Sequence, residues 1–343
     1  MGDESEGSFR SHLQYLRAFN MLYGDKHVFP DNSNVLPSVG ERLMQTRRWQ
    51  NLRPLGAHFE DIEQSIRNAW GTEMLLSMNG QLAGDDELLR LVNNWSAVQV
   101  YYIFYHVTQA LMLARNQPRP ESHEITKRQY TDEWLGRSID MAPWSLGVGS
   151  AGYINVPAGQ SVTNTHHWRR CTEANCVDIA AVALRATRDD RLREAWSEAR
   201  ERKRSQKRKE WREAEKVRLA KGKARRSEPK FPLPRLTESE KKEADQRLRA
   251  YSLMDYFWRL RIKTNYKDSS MFTSGPVRAS DTKQAYRDLV QIAVATLLVH
   301  EMTLAKLIGP TEFVQRMEQW ANLNTPRDMG ARIYERLALI KNI

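Results

Sequence analysis

Residues 85–115, DDELLRLVNNWSAVQVYYIFYHVTQALMLAR, decide the fold of this chain. Acidic residues occupy the first turn, where the positive end of a helix dipole favours them. The second half is apolar on nearly every side, as a helix surrounded by other helices must be. The apolar stretch, 97–113, is broken by Gln99, His106, Thr108 and Gln109. That falls short of the roughly 18 to 20 clean apolar residues a membrane span needs, so the segment reads as the central helix of a soluble core.

The flanking sequence repeats the same helical grammar. In 8–24, Phe9, Leu13, Leu16, Phe19 and Leu22 recur at three- and four-residue steps, with Ser8 as N-cap and Gly24 as C-cap. In 59–78, Phe59, Ile62, Ile66, Ala69 and Trp70 share one face. Thr237 and Glu240 form a capping box that opens a helix over 237–266, and further helices are predicted over 281–308, 310–321 and 326–341. Sustained period-two alternation is almost absent. The fold class that follows is all-α: a helical bundle with a long basic helix inserted between its halves. The expected organisation is an N-terminal helix and connector (1–56), a first helical half (57–142), an irregular Gly-rich excursion (143–176), a basic helical arm ending in a Pro-rich break (177–236) and a second helical half (237–343). A short hairpin is expected around 151–156.

Charge is the most informative feature of the composition. The 343-residue chain carries a formal +11, and residues 200–226 alone hold 14 Lys/Arg against 4 Glu, a net +10. Such a segment cannot bury a face and reads as a projecting rod, held partly by acid–base pairs such as Glu213 with Lys216. Lys203, Arg204, Lys207, Arg208 and Lys209, followed by Trp211 and Arg212, are the candidate nucleic-acid-binding residues. Cations that neutralise phosphates release counterions, which gives salt-dependent, largely sequence-blind affinity, and Trp211 offers a ring for a base. A solvated helix joining two halves, or a dock for an acidic protein, fits the same composition.

Two cysteines in so long a chain argue against a disulfide framework and fit a reducing, cytoplasmic setting. The acidic start MGDESEGSFR has no apolar run of a secretory leader, and Glu6 stands where a myristoylation signal needs Ser or Thr. THHWRRCTEANC (165–176) gathers His166, His167, Cys171 and Cys176, a donor mixture zinc accepts, although the spacing matches no closed site. Two free thiols are the alternative, and no cofactor is expected. No phosphate-binding Gly loop, nucleophile elbow or paired-metal carboxylate motif occurs.

NNWSAVQVYYIFYHVTQALM, the NQPRP turn leading to His123, YFWRLRIKTNYKDSSMF and AYRDLVQIAVATLLVHEMTLAKLI together resemble the HEPN superfamily of helical domains, over roughly 57–137 and 246–308. The resemblance implies a helical bundle that often dimerises, and membership of a group rich in metal-independent ribonucleases of toxin and antiviral defence systems. In such enzymes an Arg steadies phosphate charge while a His, after four to six intervening residues, moves the proton of a 2′-hydroxyl. Here that spacing occurs only from Arg53 to His58; Arg119 and His123 are separated by three residues, and Arg259 or Arg261 is followed by Asn265, which cannot carry a proton. His123 with Arg119 and Arg115 is the candidate catalytic set, although all three also suit a helix C-terminus. His106 and the tyrosines of 101–105 are expected in the core. The sequence thus supports an RNA-binding protein of a defence or regulatory assembly, a non-catalytic subunit of a larger protein or ribonucleoprotein complex, or a ribonuclease.

Overall fold

The structure is a computed structural model that describes residues 2–23, 35–135, 141–149, 170–267, 270–324 and 332–343. Thirteen α-helices are found among the described residues. The first six are α1 (Gly2–Met21), α2 (Leu36–Gln45), α3 (Arg47–Asn51), α4 (Phe59–Met78), α5 (Asp86–Ala114) and α6 (His123–Trp134). After the two-residue strand β1 (Gly147–Val148) come α7 (Cys176–Ala220) and α8 (Glu238–Arg247). Strand β2 (Tyr251–Ser252) then leads into α9 (Leu253–Ile262), α10 (Met271–Ser274), α11 (Ala279–Ile308), α12 (Pro310–Asn324) and α13 (Ile333–Ile340). The all-α bundle with a long inserted basic helix is therefore the observed architecture.

Helix α5 is the axis of the bundle. Its N-cap Asp85 accepts hydrogen bonds from the amides of Glu87 and Leu88 at 2.9 and 3.0 Å, satisfying donors the helix cannot satisfy itself. Beyond Asn93 its residues pack against α4 on one side and α11 on the other. Val100, Ile103, Phe104, Val107 and Leu111 are buried, each contributing about 1.5–3 kcal/mol of transfer free energy. A 3₁₀ turn over 79–84 folds α4 back along α5, and the predicted face of α4 is buried as expected. Helix α11 is long and apolar enough to cross a bilayer, but 89% of its apolar window is buried inside the protein.

Buried polar groups tie the C-terminal helix to this axis. Glu301 of α11 accepts from Trp70 Nε1 and from Arg336 Nε, both at 2.8 Å, while Arg336 also faces Glu73. These ties dock α13 onto α4 and α11. Strands β1 and β2 pair antiparallel, Gly147 opposite Ser252. A side chain at 147 would overlap Leu135, because its Cβ would lie 1.8 Å from Leu135 Cδ2.

Three boundaries differ from the sequence reading. Helix α1 starts well before Ser8. The presumed connector holds α2, which begins with Pro37 in its first turn, where a missing N–H costs nothing, and α3. The helix expected over 237–266 is broken at 248–252, where a second capping box, Ser252 with Asp255, starts α9 afresh. The expected hairpin near 151–156 lies outside the described residues.

Candidate nucleic-acid interface

The basic arm is a hairpin of a helix and an extended return limb. At its root, Ile179, Val182 and Leu184 pack into the core, and Arg188 pairs with Asp245 of α8 at 2.7 Å. Beyond Arg188, only Glu215 among the residues of α7 is buried. From Arg188 to the tip the helix runs roughly 50 Å, at about 1.5 Å per residue. With no face to bury, it relies on local acid–base pairs: Glu201–Arg204 at 3.3 Å, Glu213–Lys216 at 3.0 Å and Glu215–Arg218 at 3.4 Å. Each has the acid on the N-terminal side, the favourable order, and is worth a few tenths of a kcal/mol, about 0.2–0.5.

The helix ends at Gly222, whose φ of +71° suits glycine. The Gly222 amide donates to Leu219 O and the Lys223 amide to Arg218 O, at 2.9 and 3.2 Å, closing a Schellman motif. The chain then returns antiparallel along α7. Arg226 is gripped by Glu215, through its amide at 2.7 Å and its Nε at 2.8 Å. Glu228 meets Arg208 at 2.6 Å and Arg212 at 3.2 Å. Glu240 meets Lys203 at 2.6 Å, and Trp196 Nε1 donates to Lys241 O at 3.4 Å. Hydrogen bonds from the Arg226 amide and guanidinium hold the Glu215 carboxyl below its usual range, and the Lys203 ammonium holds that of Glu240 at about 2.

This pairing sorts the sequence candidates. Lys203 and Arg204 are engaged by Glu240 and Glu201, and Arg208 and Arg212 share one carboxylate. Lys207 and Lys209 are exposed and have no ion-pair partner among the described residues. Trp211 is half-buried. A shallow depression on the helix is lined by Ser205, Arg208, Lys209, Arg212, Glu213 and Lys216. Four cations thus line one surface with Glu213, two of them also paired with Glu228, and Lys216 joins the candidate set. The return limb could not be read from the sequence, because Glu228 lies 16 residues beyond Arg212.

The candidate catalytic set does not assemble as expected. Arg115 is turned inward, pairing at 2.8 Å with Glu133, which Arg48 also contacts. Arg119 is exposed and donates to Gln64 at 3.0 Å. His123 instead joins a cluster on α5, α6 and α9: its Nδ1 lies 2.8 Å from Tyr101 Oη, and its ring is 4.7 Å from Tyr105 and 4.9 Å from Trp258. Burial, then the charges of Arg261 and Lys127, pull the His123 imidazole below its ordinary value. Tyr101 and Phe104 are core, as expected, but Tyr102, Tyr105 and His106 are half-buried. His106 is half-buried with its Nδ1 unpartnered, and burial pulls it to about 4 against the opposing effect of a hydrogen bond with Gln109. Burial thus favours the neutral form of both imidazoles.

The remaining candidates separate. Arg53 and His58 are exposed at the entry to α4, where the His58 amide donates to Asp61 at 3.2 Å. Arg259 pairs with Asp190 of α7 and Asn265 is half-buried, while Arg261 faces the His123 cluster. Cys171 and Cys176 are buried free thiols, and burial pushes Cys171 up to about 12, which disfavours the thiolate a metal needs. His166 and His167 lie outside the described residues, and no cluster of three or more metal-ligating side chains occurs among the described ones. Comparison of the chain with protein-family models, curated proteins and solved structures gave no match.

Proposed function

We propose that this chain binds nucleic acid, RNA in the first instance, through the hairpin arm formed by α7 and its return limb. One observation carries the reading: Arg208, Lys209, Arg212 and Lys216 line a single depression on a helix that stands away from the core. Phosphates entering it would meet cations that no core carboxylate neutralises, and the field is concentrated where +10 of the chain's +11 resides. The antiviral or regulatory setting rests on the HEPN resemblance alone. Titration of labelled RNA at rising salt tests the reading, since phosphate contacts require affinity to fall steeply with salt. Salt-insensitive or absent binding, with a protein partner co-purifying, would favour a subunit of a larger complex instead.

A second reading, metal-independent RNA cleavage, is favoured by the approach of Arg261 to the rings around His123. RNA incubated with the chain in EDTA decides it. Cleavage lost in His123→Ala would support the reading, and intact RNA with the wild-type chain would retire it.

A further inference from the structure

We propose that the half-buried rings beside the arm's root form a base-binding platform for unpaired nucleotides, with Arg261 as its phosphate contact. The proposal rests on the reading of the arm as a nucleic-acid binder and adds to it a preference for single strands. The platform comprises Tyr102, Tyr105, His106, His123, Trp258 and Arg261. Beneath it lie fully buried rings, Tyr101, Phe104 and Phe257, against which Tyr102, Tyr105 and Trp258 pack with part of their surface still exposed.

Arg261 is the observation that separates this patch from ordinary packing. Its guanidinium lies 4.8 Å from the Trp258 ring, 5.4 Å from Tyr102 and 5.5 Å from Tyr101. Its one described polar contact is with Tyr102 Oη at 3.4 Å, and its Nε is buried without a partner. Several arginines of the body are matched to carboxylates, Arg115 to Glu133, Arg249 to Asp255, Arg259 to Asp190 and Arg336 to Glu301. Among the described residues, the exposed Arg119 and Arg53 meet only amide or carbonyl oxygens and no aromatic ring. Arg261 has no carboxylate among the described residues. A guanidinium set among aromatic rings, with donors to spare, fits a phosphate oxygen. The neutral imidazoles beside it add ring surface and no repulsion for a base.

Helix α9 links the platform to the arm, carrying Arg261 on the face opposite the one that meets α7. Arg259, two residues from Arg261, pairs with Asp190 on α7, so α9 lies against the root of the arm. Paired bases are stacked inside a duplex and cannot reach such rings, whereas unpaired bases can. The platform therefore separates single strands from duplexes, while the arm does not.

Fluorescence anisotropy tests this with a labelled single-stranded deoxyribo-oligonucleotide and the same sequence as a duplex, on the full chain at low salt. DNA lacks the 2′-hydroxyl, so cleavage cannot interfere. Arg261→Gln and Trp258→Ala are each expected to lower single-strand affinity about tenfold, a typical loss for a stacked base, and to leave duplex affinity unchanged. Trp258→Phe should stay near wild type. The arm variant K209E/K216E should weaken both ligands alike. Single-strand affinity within about twofold of wild type in Arg261→Gln, with unchanged circular dichroism, would overturn the platform even if Trp258→Ala fails to fold. Single-strand binding that ignores the arm variant but falls in Arg261→Gln would keep the platform and remove the arm. Binding of neither ligand by the wild-type chain would remove both.

Discussion

Reversing Lys209 and Lys216 to glutamate removes two of the four cations that line the arm's depression, costs the helix one local acid–base pair and leaves the fastenings of the return limb alone. Lys209 has no ion-pair partner among the described residues, and Lys216 touches only Glu213, one helical turn away. Glu215–Arg226, Glu228–Arg208 and Glu240–Lys203 all persist, so the hairpin should keep its helix content. Each phosphate neutralised on a single strand adds about −0.7 to the slope of log affinity against log salt. Four contacts give a slope of about −2.8, which is a loss of about 50-fold between about 50 and 200 mM salt. Two contacts give about −1.4 and a loss of about sevenfold. Anisotropy titrations of labelled RNA over that salt range, on wild type and K209E/K216E, measure both slopes. A wild-type slope near zero, or the same slope in both proteins, would refute phosphate binding in the depression.

Two further outcomes concern the body. Arg336→Met strands Glu73 and Glu301 in the core without their cation, which should cost about 3–5 kcal/mol in urea unfolding; a loss under about 1 kcal/mol would mean the network does not hold α13. Burial raises the carboxyl of Asp288 to about 7, where its Oδ1 accepts from Asn20 and Gln284 and its Oδ2 has no partner. The folded chain thus holds a proton that the unfolded chain releases near pH 4, a contribution complete below about pH 4 and lost as pH rises through 7. Asp288→Asn should gain roughly 2.5 kcal/mol on wild type between about pH 5 and 7.5; parallel stability profiles for the two proteins would show that Asp288 is charged in the fold.

How much was legible follows from where each feature's cause lies. The faces of α4 and α5 were readable because apolar spacing and first-turn carboxylates are local, and the observed helices match 59–78 and 85–115 closely. The break before α9 was not, since the Ser252–Asp255 box sits inside a sequence of good helix formers and is fixed by Arg249 gripping Asp255 at 2.6 Å. The charge of the arm was plain; its pairing was not, because Glu228 reaches Arg208 and Arg212 only after a turn at Gly222. Likewise the run from Tyr101 to His106 mixes core with edge. Helical phase separates Tyr101 and Phe104 from Tyr102 and Tyr105, but only the placement of α9 shows which pair is covered.

The return limb also gives the arm a direction. Its acids, Glu228 and Glu240, engage Arg208, Arg212 and Lys203, whereas Arg202, Lys209 and Lys216 follow at seven-residue steps, which places them along one stripe of the helix. Glu228 is then either a scaffold that orients two guanidiniums or a competitor for the phosphate they would bind. Exposed ion pairs contribute about 0.2–1 kcal/mol, too little to make orientation the larger effect. An arginine spending one or two donors on Glu228 still has others to offer. Removing the carboxylate raises the local charge by one and frees both side chains. Glu228→Gln should therefore tighten RNA binding about two- to fivefold at low salt and steepen its salt dependence, the converse of the lysine reversals. Weaker binding by Glu228→Gln, with helix content unchanged, would show that the carboxylate builds the site and that free charge on the arm is not what holds the strand.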